Sequence, residues 1–201
     1  MRIVGGESRG RRLKAPRGRS VRPTAERTRE ALFDMLGARV AGSRFLDLFA
    51  GVGAIGLEAA SRGAEKVVLV ESSDRAAGII RENARSLGLA APVTVIRANA
   101  TPAVRRLAEA GEQFDIVFMD PPYCDRAALE RTLGEVARPG GVLAPDGVVI
   151  AEHDAHREPL APVGMLGVER SRRFGDAVLT FFRPMQAEEH DNAESSVPGQ
   201  L

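Results

Sequence analysis

From Phe45 onward, short continuous apolar runs alternate with stretches whose apolar positions recur at helical spacing. Runs near 45–49, 67–71, 93–97, 115–119 and 147–152 read as strands, Val67-Val68-Leu69-Val70 most clearly. Strands apolar on both faces are buried on both faces, and strand-helix alternation builds a parallel sheet, so the predicted class is α/β with helices on both faces. Segments near 164–170 and 177–183 add two late strands. Upstream, Thr24 is placed to cap a helix reaching about Leu36, with Ala31, Leu32, Met35 and Leu36 as its buried stripe. Residues 1–21 mix apolar pairs with Gly and Arg, as a β-hairpin or adaptable arm does. From Ala187 the chain carries Glu188, Glu189, Asp191 and Glu194 among Ser, Pro and Gly, and a disordered acidic tail is expected. The predicted division is an arm over 1–23, one domain over 24–185 and a tail over 186–201.

Two loops break this pattern with chemistry. Asp47-Leu48-Phe49-Ala50-Gly51-Val52-Gly53 follows the first strand, and its glycines allow a tight turn and close backbone approach to a ligand, with a helix N-terminus behind them. Gly51, Gly53 and Gly56 satisfy the dinucleotide fingerprint, and Glu71, about twenty residues beyond, suits ribose hydroxyls. That fingerprint is shared by dinucleotide and S-adenosylmethionine sites. Asp47 would repel a pyrophosphate but suits a cationic amino acid moiety, which favours S-adenosylmethionine. Phe49, Ala50, Gly51, Gly53, Ser72, Asn99 and Ala100 complete the candidate cofactor contacts.

The second loop is Asp120-Pro121-Pro122-Tyr123, after Ile116-Val117-Phe118-Met119. Each proline holds the preceding residue extended. A carboxylate and a main-chain carbonyl side by side can accept both protons of a flat exocyclic amine, and Tyr123 offers a ring for stacking on a base. Taken alone, Asp-Pro-Pro also suits a plain strand-ending turn. Asp47, Glu71, Asn99 and Asp120 each end one of the first four strands, so all face one crevice.

These residues resemble the class I S-adenosylmethionine-dependent amino-methyltransferases, marked by Asp or Asn, Pro, Pro and an aromatic residue. Met1-Arg2-Ile3-Val4-Gly5-Gly6, Arg9-Gly10-Arg11, Arg22-Pro23-Thr24 and the stretch from Arg27 to Phe33 narrow the likeness to the bacterial 16S rRNA guanine-N2 methyltransferase D family. Residues 46–63 and 174–182 share it, so the resemblance covers roughly 1–184. It implies a Rossmann-like, mostly parallel seven-stranded sheet whose last two strands are an antiparallel pair at one edge. It further implies a guanine N2 in a small-subunit rRNA loop as acceptor, an assembled or partly assembled subunit as substrate, and a monomer. Val52 stands where the family more often has Ser or Thr, and Asn99 where many relatives have Asp.

Charge supports a nucleic-acid partner. The net charge is only +1, but residues 1–29 hold ten Lys or Arg against two acids. Arg2, Arg9, Arg11, Arg12, Arg22, Thr24 and Arg27 are the candidate RNA contacts, and the arm is expected to order fully on RNA. A single cysteine, Cys124, excludes an internal disulfide and reads as a packing residue in a cytoplasmic protein. No apolar run suits a membrane span. His153, His156 and His190 read as surface or loop residues, and no metal is implied. The rival readings are methylation of adenine N6 in DNA or of a protein glutamine, a non-catalytic ribosome-assembly module, and an NAD dehydrogenase.

Overall fold

The computed structural model describes residues 1–15, 23–122 and 125–185. Arg22, Tyr123, Cys124, His190 and the predicted acidic tail lie outside the described residues. The elements, in chain order, are α1 (Pro23–Leu36), a short 3-10 turn (Gly37–Arg39), β1 (Arg44–Asp47), α2 (Ala54–Ser61), β2 (Lys66–Glu71), α3 (Asp74–Leu87), β3 (Val93–Arg97) and α4 (Ala100–Glu109). Then follow β4 (Phe114–Met119), α5 (Arg126–Val136), β5 (Leu143–Asp154), β6 (Leu166–Phe174) and β7 (Ala177–Pro184).

The seven strands form one sheet in the order β3-β2-β1-β4-β5-β7-β6. The first five run parallel, and β7 inserts antiparallel between β5 and β6. The predicted α/β sheet and its antiparallel edge pair are therefore present. β5 is longer than expected, beginning at Leu143.

Alternate strand residues feed two separate cores. Phe45, Val67, Leu69, Ile116, Phe118 and Ile150 pack with Leu32 and Phe33 of α1, Leu57 of α2 and Ile80 of α3. Leu46, Val68, Val70, Val117, Met119 and Val149 pack on the other face with Val104 of α4 and Leu129 and Leu133 of α5. Each such fully buried side chain contributes roughly 1.5–3 kcal/mol. This explains why the strands read as unbroken apolar runs: neither face meets water.

Local chemistry sets the helix ends. The Ser73 hydroxyl accepts from the Ala76 amide at 3.3 Å to start α3, which ends at Gly88 with φ 76°. The Asp125 carboxylate accepts from the Ala128 amide at 2.9 Å to start α5. Helix α1 begins at Pro23, two residues before the start that a Thr24 cap implies, so Thr24 lies within the first turn and is not its cap. Proline suits that first position because its missing N–H would have no intrahelical partner there.

The N-terminal arm is a narrow loop closed by the single bridge Arg2↔Arg12, without regular strands. It is anchored by buried Ile3 and Leu13. Polar groups of α2 and α3 fasten it to the domain, among them Ser61, which accepts the Ser8 amide at 2.9 Å and donates to Gly5 O at 2.8 Å. Glu58 of α2 accepts the Val4 and Gly5 amides at 2.8 and 2.6 Å. Asn83 of α3 accepts the Lys14 amide at 2.8 Å. Residues 1–15 are thus seated on α2 and α3 by apolar and hydrogen-bonded docking.

Candidate active site

Strand order reverses between β1 and β4, which is where a doubly wound sheet opens a crevice at its carboxyl end. Along that end the terminal residues follow one another as Asn99, Glu71, Asp47, Asp120 and Glu152. Met119 pairs with Ala151, so Asp120, the first residue after β4, lies beside Glu152, two residues before the end of β5. The sequence placed four of these together. Glu152 was missed, although it follows Val148-Val149-Ile150-Ala151 and the same strand-end rule would have found it.

The glycine loop is held from beneath and from the side. Ala50 N–H donates to Val70 O at 3.0 Å, and Leu48 N–H donates to Phe118 O at 3.0 Å. Gly51 and Gly53 have φ of 58° and 82°, a left-handed backbone that favours glycine. A Cβ on Gly51 would meet nothing within 4 Å, whereas one on Gly56 would lie 2.4 Å from Leu69 Cδ2. Gly51 therefore faces open space, and Gly56 lets α2 pack on β2.

Glu71 accepts the Gly51 amide at 2.8 Å through Oε2 and the Ser73 amide at 2.7 Å through Oε1. Oε1 also accepts from the Ser72 hydroxyl at 3.4 Å, and Oε2 retains a lone pair for a hydroxyl donor. Asn99 precedes α4 without capping it through its side chain, and it is exposed. Its amide is available to a ring amine. Ser72 is exposed, Phe49 half-buried and Ala100 buried.

Asp47 differs from its expected direct role. It is only 2% exposed and accepts the Gly56 amide at 3.2 Å, so it braces the loop-helix junction from below. Burial first, then the nearby Glu71 charge, pushes its pKa up to about 7, against hydrogen bonds from Gly56 and Phe49 amides that lower it. The pKa of Asp120 is also raised well above the carboxylate range, by burial, by Glu152 and by Asp47. A crevice this rich in carboxylates attracts a cationic ligand, and a carboxyl with a raised pKa can keep a proton delivered to it.

Beside the Pro121-Pro122 turn, on the β5 side, lies a cleft lined by Arg126, Leu129, Glu152, His153, Asp154 and Arg157. His153, predicted at the surface, is 6% exposed, with Nε2 2.9 Å from Thr180 Oγ1. It ends a central strand covered by β7, and burial lowers its pKa. Among the described residues no group of His, Cys, Asp or Glu is arranged for a metal ion.

The candidate RNA residues separate. Arg2, Arg9, Arg12 and Arg27 are exposed. Arg11 donates from Nη1 to Leu87 O at 2.9 Å, and from Nη2 to Ser86 O, so its guanidinium serves the end of α3. Arg29, one of the ten early cations, is buried and donates to Arg2 O at 2.8 Å. Arg11 stays exposed although its guanidinium is tied to the end of α3, whereas Arg29, on α1, is buried beneath the arm's first residues. Sequence reasoning also missed Glu58 and Asn83, whose helical spacing alone does not distinguish a tether from a solvated polar residue. Asn83 additionally donates to Val52 O at 3.3 Å, linking arm, α3 and glycine loop.

The family model described as conserved hypothetical protein 95 matches residues 1–183. The ribosomal RNA small subunit methyltransferase D of Escherichia coli (strain K12) is 37% identical over 154 residues, covering 77% of this chain and 75% of that protein. YlbH of Bacillus subtilis (strain 168), provisionally named an rRNA methyltransferase, is 37% identical over 177 residues, covering 87% of this chain and 94% of its own. The solved structure of a hypothetical protein from Thermus thermophilus, TTHA0928, superposes with a TM-score of 0.75 at 36% identity, covering 91% of this chain and 99% of that one.

Proposed function

The chain belongs to the conserved hypothetical protein 95 family, that of the small-subunit rRNA methyltransferase D proteins, and from that premise we propose that it is an S-adenosylmethionine-dependent rRNA methyltransferase acting on guanine N2 in 16S rRNA. The observation that carries the reading is the register that sets Asp120-Pro121 beside the glycine loop at the sheet's switch point. The open Gly51, the side chain of Asn99 that caps no helix and the surrounding carboxylates fit a nucleoside bearing a positive charge.

In this reading Gly51, Gly53 and Glu71 hold the ribose end, Asn99 the adenine edge, and Asp47 braces the loop. S-adenosylmethionine supplies the methyl group from its sulfonium. Asp120 and the Pro121 carbonyl accept the two amine protons of the acceptor base, turning the nitrogen lone pair out of the ring plane toward the methyl donor. As the new N–C bond forms, positive charge grows on nitrogen, and Asp120 stabilises it and takes the proton that leaves. A base must be unpaired or flipped out to reach this turn, which suits a loop nucleotide. Tyr123 would stack on it. An assembled or partly assembled small subunit as substrate, a monomeric enzyme and a cytoplasmic location complete the proposal.

The test is transfer of radiolabelled methyl to small subunits lacking the modification, comparing wild type with Asp120→Ala and followed by nucleoside analysis. Label in N2-methylguanosine that is lost in the variant is the expected result. Label in another nucleoside replaces the acceptor, and no label despite cofactor binding overturns the catalytic reading.

A further inference from the structure

Asp120 stands between two unlike surfaces. Toward β1, β2 and β3 lie Asp47, Glu71 and Asn99, the side assigned above to the cofactor. Toward β5 the cleft beside Pro121 and Pro122 is rimmed by Arg126 and Arg157. If the methyl donor occupies the first side, the acceptor base must enter from the second.

That second side carries more cations than the cleft itself. The loop after β5 is held against the β6–β7 turn, where the Ala155 amide donates to Asp176 O at 2.8 Å. Asp154 pairs with Ala177, and on the next strand Arg173 pairs with Val178 and Arg172 with Leu179. Arg157 and Arg173 thus reach one rim from separate parts of the chain, while Arg172, paired with Leu179, points to the opposite face of the sheet; Arg157 and Arg173 are both exposed. Among the described residues neither forms an ion pair. Asp154 pairs with His156 at 2.9 Å, Glu130 with Arg126 at 2.7 Å and Glu169 with Arg183 at 3.4 Å, while Arg173 Nε donates to Gly175 O at 2.8 Å and Arg172 Nη1 to Ser171 O at 3.1 Å. Arg126 also donates to Glu158 O at 2.8 Å, which fixes it as part of the wall.

We infer that Arg157 and Arg173 form a second RNA surface, which binds the phosphates flanking the target nucleotide while its base enters beside Pro121 and Pro122. This rests on the rRNA methyltransferase reading. The surface lies across the crevice from the arm docked on α2 and α3, so bound RNA spans the active site and is gripped on both flanks. Guanidinium contacts of this kind position a strand without selecting its sequence.

The experiment measures binding of unmodified 16S rRNA across a salt series for wild type, Arg157→Ala/Arg173→Ala, Arg157→Lys/Arg173→Lys and Arg106→Ala, a change at an exposed α4 position away from both surfaces. The alanine pair should weaken RNA binding by about tenfold and flatten the logarithmic salt slope by about 1.4, at roughly 0.7 per phosphate contact on a single strand. S-adenosylmethionine affinity, read by calorimetry on the same preparations, should not change, which also reports that the variant is folded. The lysine pair should recover most of the salt slope, and Arg106→Ala should match wild type. Wild-type RNA affinity and slope in the alanine pair overturn the inference. Wild type that binds RNA through this rim but transfers no methyl group would instead overturn the proposed reaction and leave the surface standing.

Discussion

Asp47 lies directly under the first turn of α2 and accepts the Gly56 amide at 3.2 Å, which places a nearly inaccessible carboxyl at the junction of the glycine loop and its helix. Its pKa of about 7 in the fold, against 3.8 ordinarily, means that the folded chain keeps a proton the unfolded chain has released between roughly pH 4 and 7. Stability from this group therefore falls as pH rises through that window, by at most about 1.4 kcal/mol per pH unit, and levels off above it. Asp47→Asn, which retains an acceptor oxygen, should be more stable than wild type at pH 8, by up to about 4 kcal/mol, and should show a weaker pH dependence. Urea unfolding at pH 5 and pH 8 measures this. Equal pH dependence in both proteins would show that Asp47 is ionised in the fold.

Asp120 shares its strand end with Glu152, and burial, Glu152 and Asp47 all favour its protonated form. A protonated carboxyl cannot accept the amine proton. Methyl transfer should fall on the acid side of a pH profile, and Glu152→Gln should move that limb to lower pH by removing one like charge. Single-turnover rates across pH test the shift; an unmoved limb would exclude coupling between the two carboxyls.

Glu58 is fully buried, accepts two arm amides, and lies 2.9 Å from Arg62 and 3.8 Å from buried Arg29. Glu58→Ala leaves cations and amides without their counter-group, a loss on the order of 3–5 kcal/mol. Chemical denaturation should show this, together with faster proteolysis of the arm. Retained stability would mean that the arm's docking does not depend on Glu58.

Two helical glycines should respond in opposite directions. Alanine usually gains about 0.5–1 kcal/mol over glycine inside a helix. At Gly78 of α3 a Cβ meets nothing within 4 Å, so Gly78→Ala should stabilise the protein by that amount. At Gly56 it meets Leu69 at 2.4 Å and Val67 at 3.2 Å, both fully buried. Overpacking of about 1–3 kcal/mol outweighs the helix gain, so Gly56→Ala should lower the melting temperature and weaken cofactor binding. A stabilised Gly56→Ala would show that α2 can lift from the sheet at little cost.

The apolar runs by themselves determined the strands, their burial on both faces and the end of the sheet at which Asp47, Glu71, Asn99 and Asp120 gather. A parallel sheet with helices on both faces permits few other arrangements, so these features were legible before any contact was known. Strand order was a different matter. The insertion of β7 beside β5, the pairing that sets Asp120 against Glu152 and the rim that joins Arg157 to Arg173 depend on contacts between distant segments, which residue spacing along the chain does not encode. The arm shows the same division: its arginines were visible in the sequence, but their burial or exposure was decided by docking. Arg11, still exposed, and buried Arg29 are tied to helix-end and main-chain carbonyls, and only the folded chain brings those carbonyls within reach.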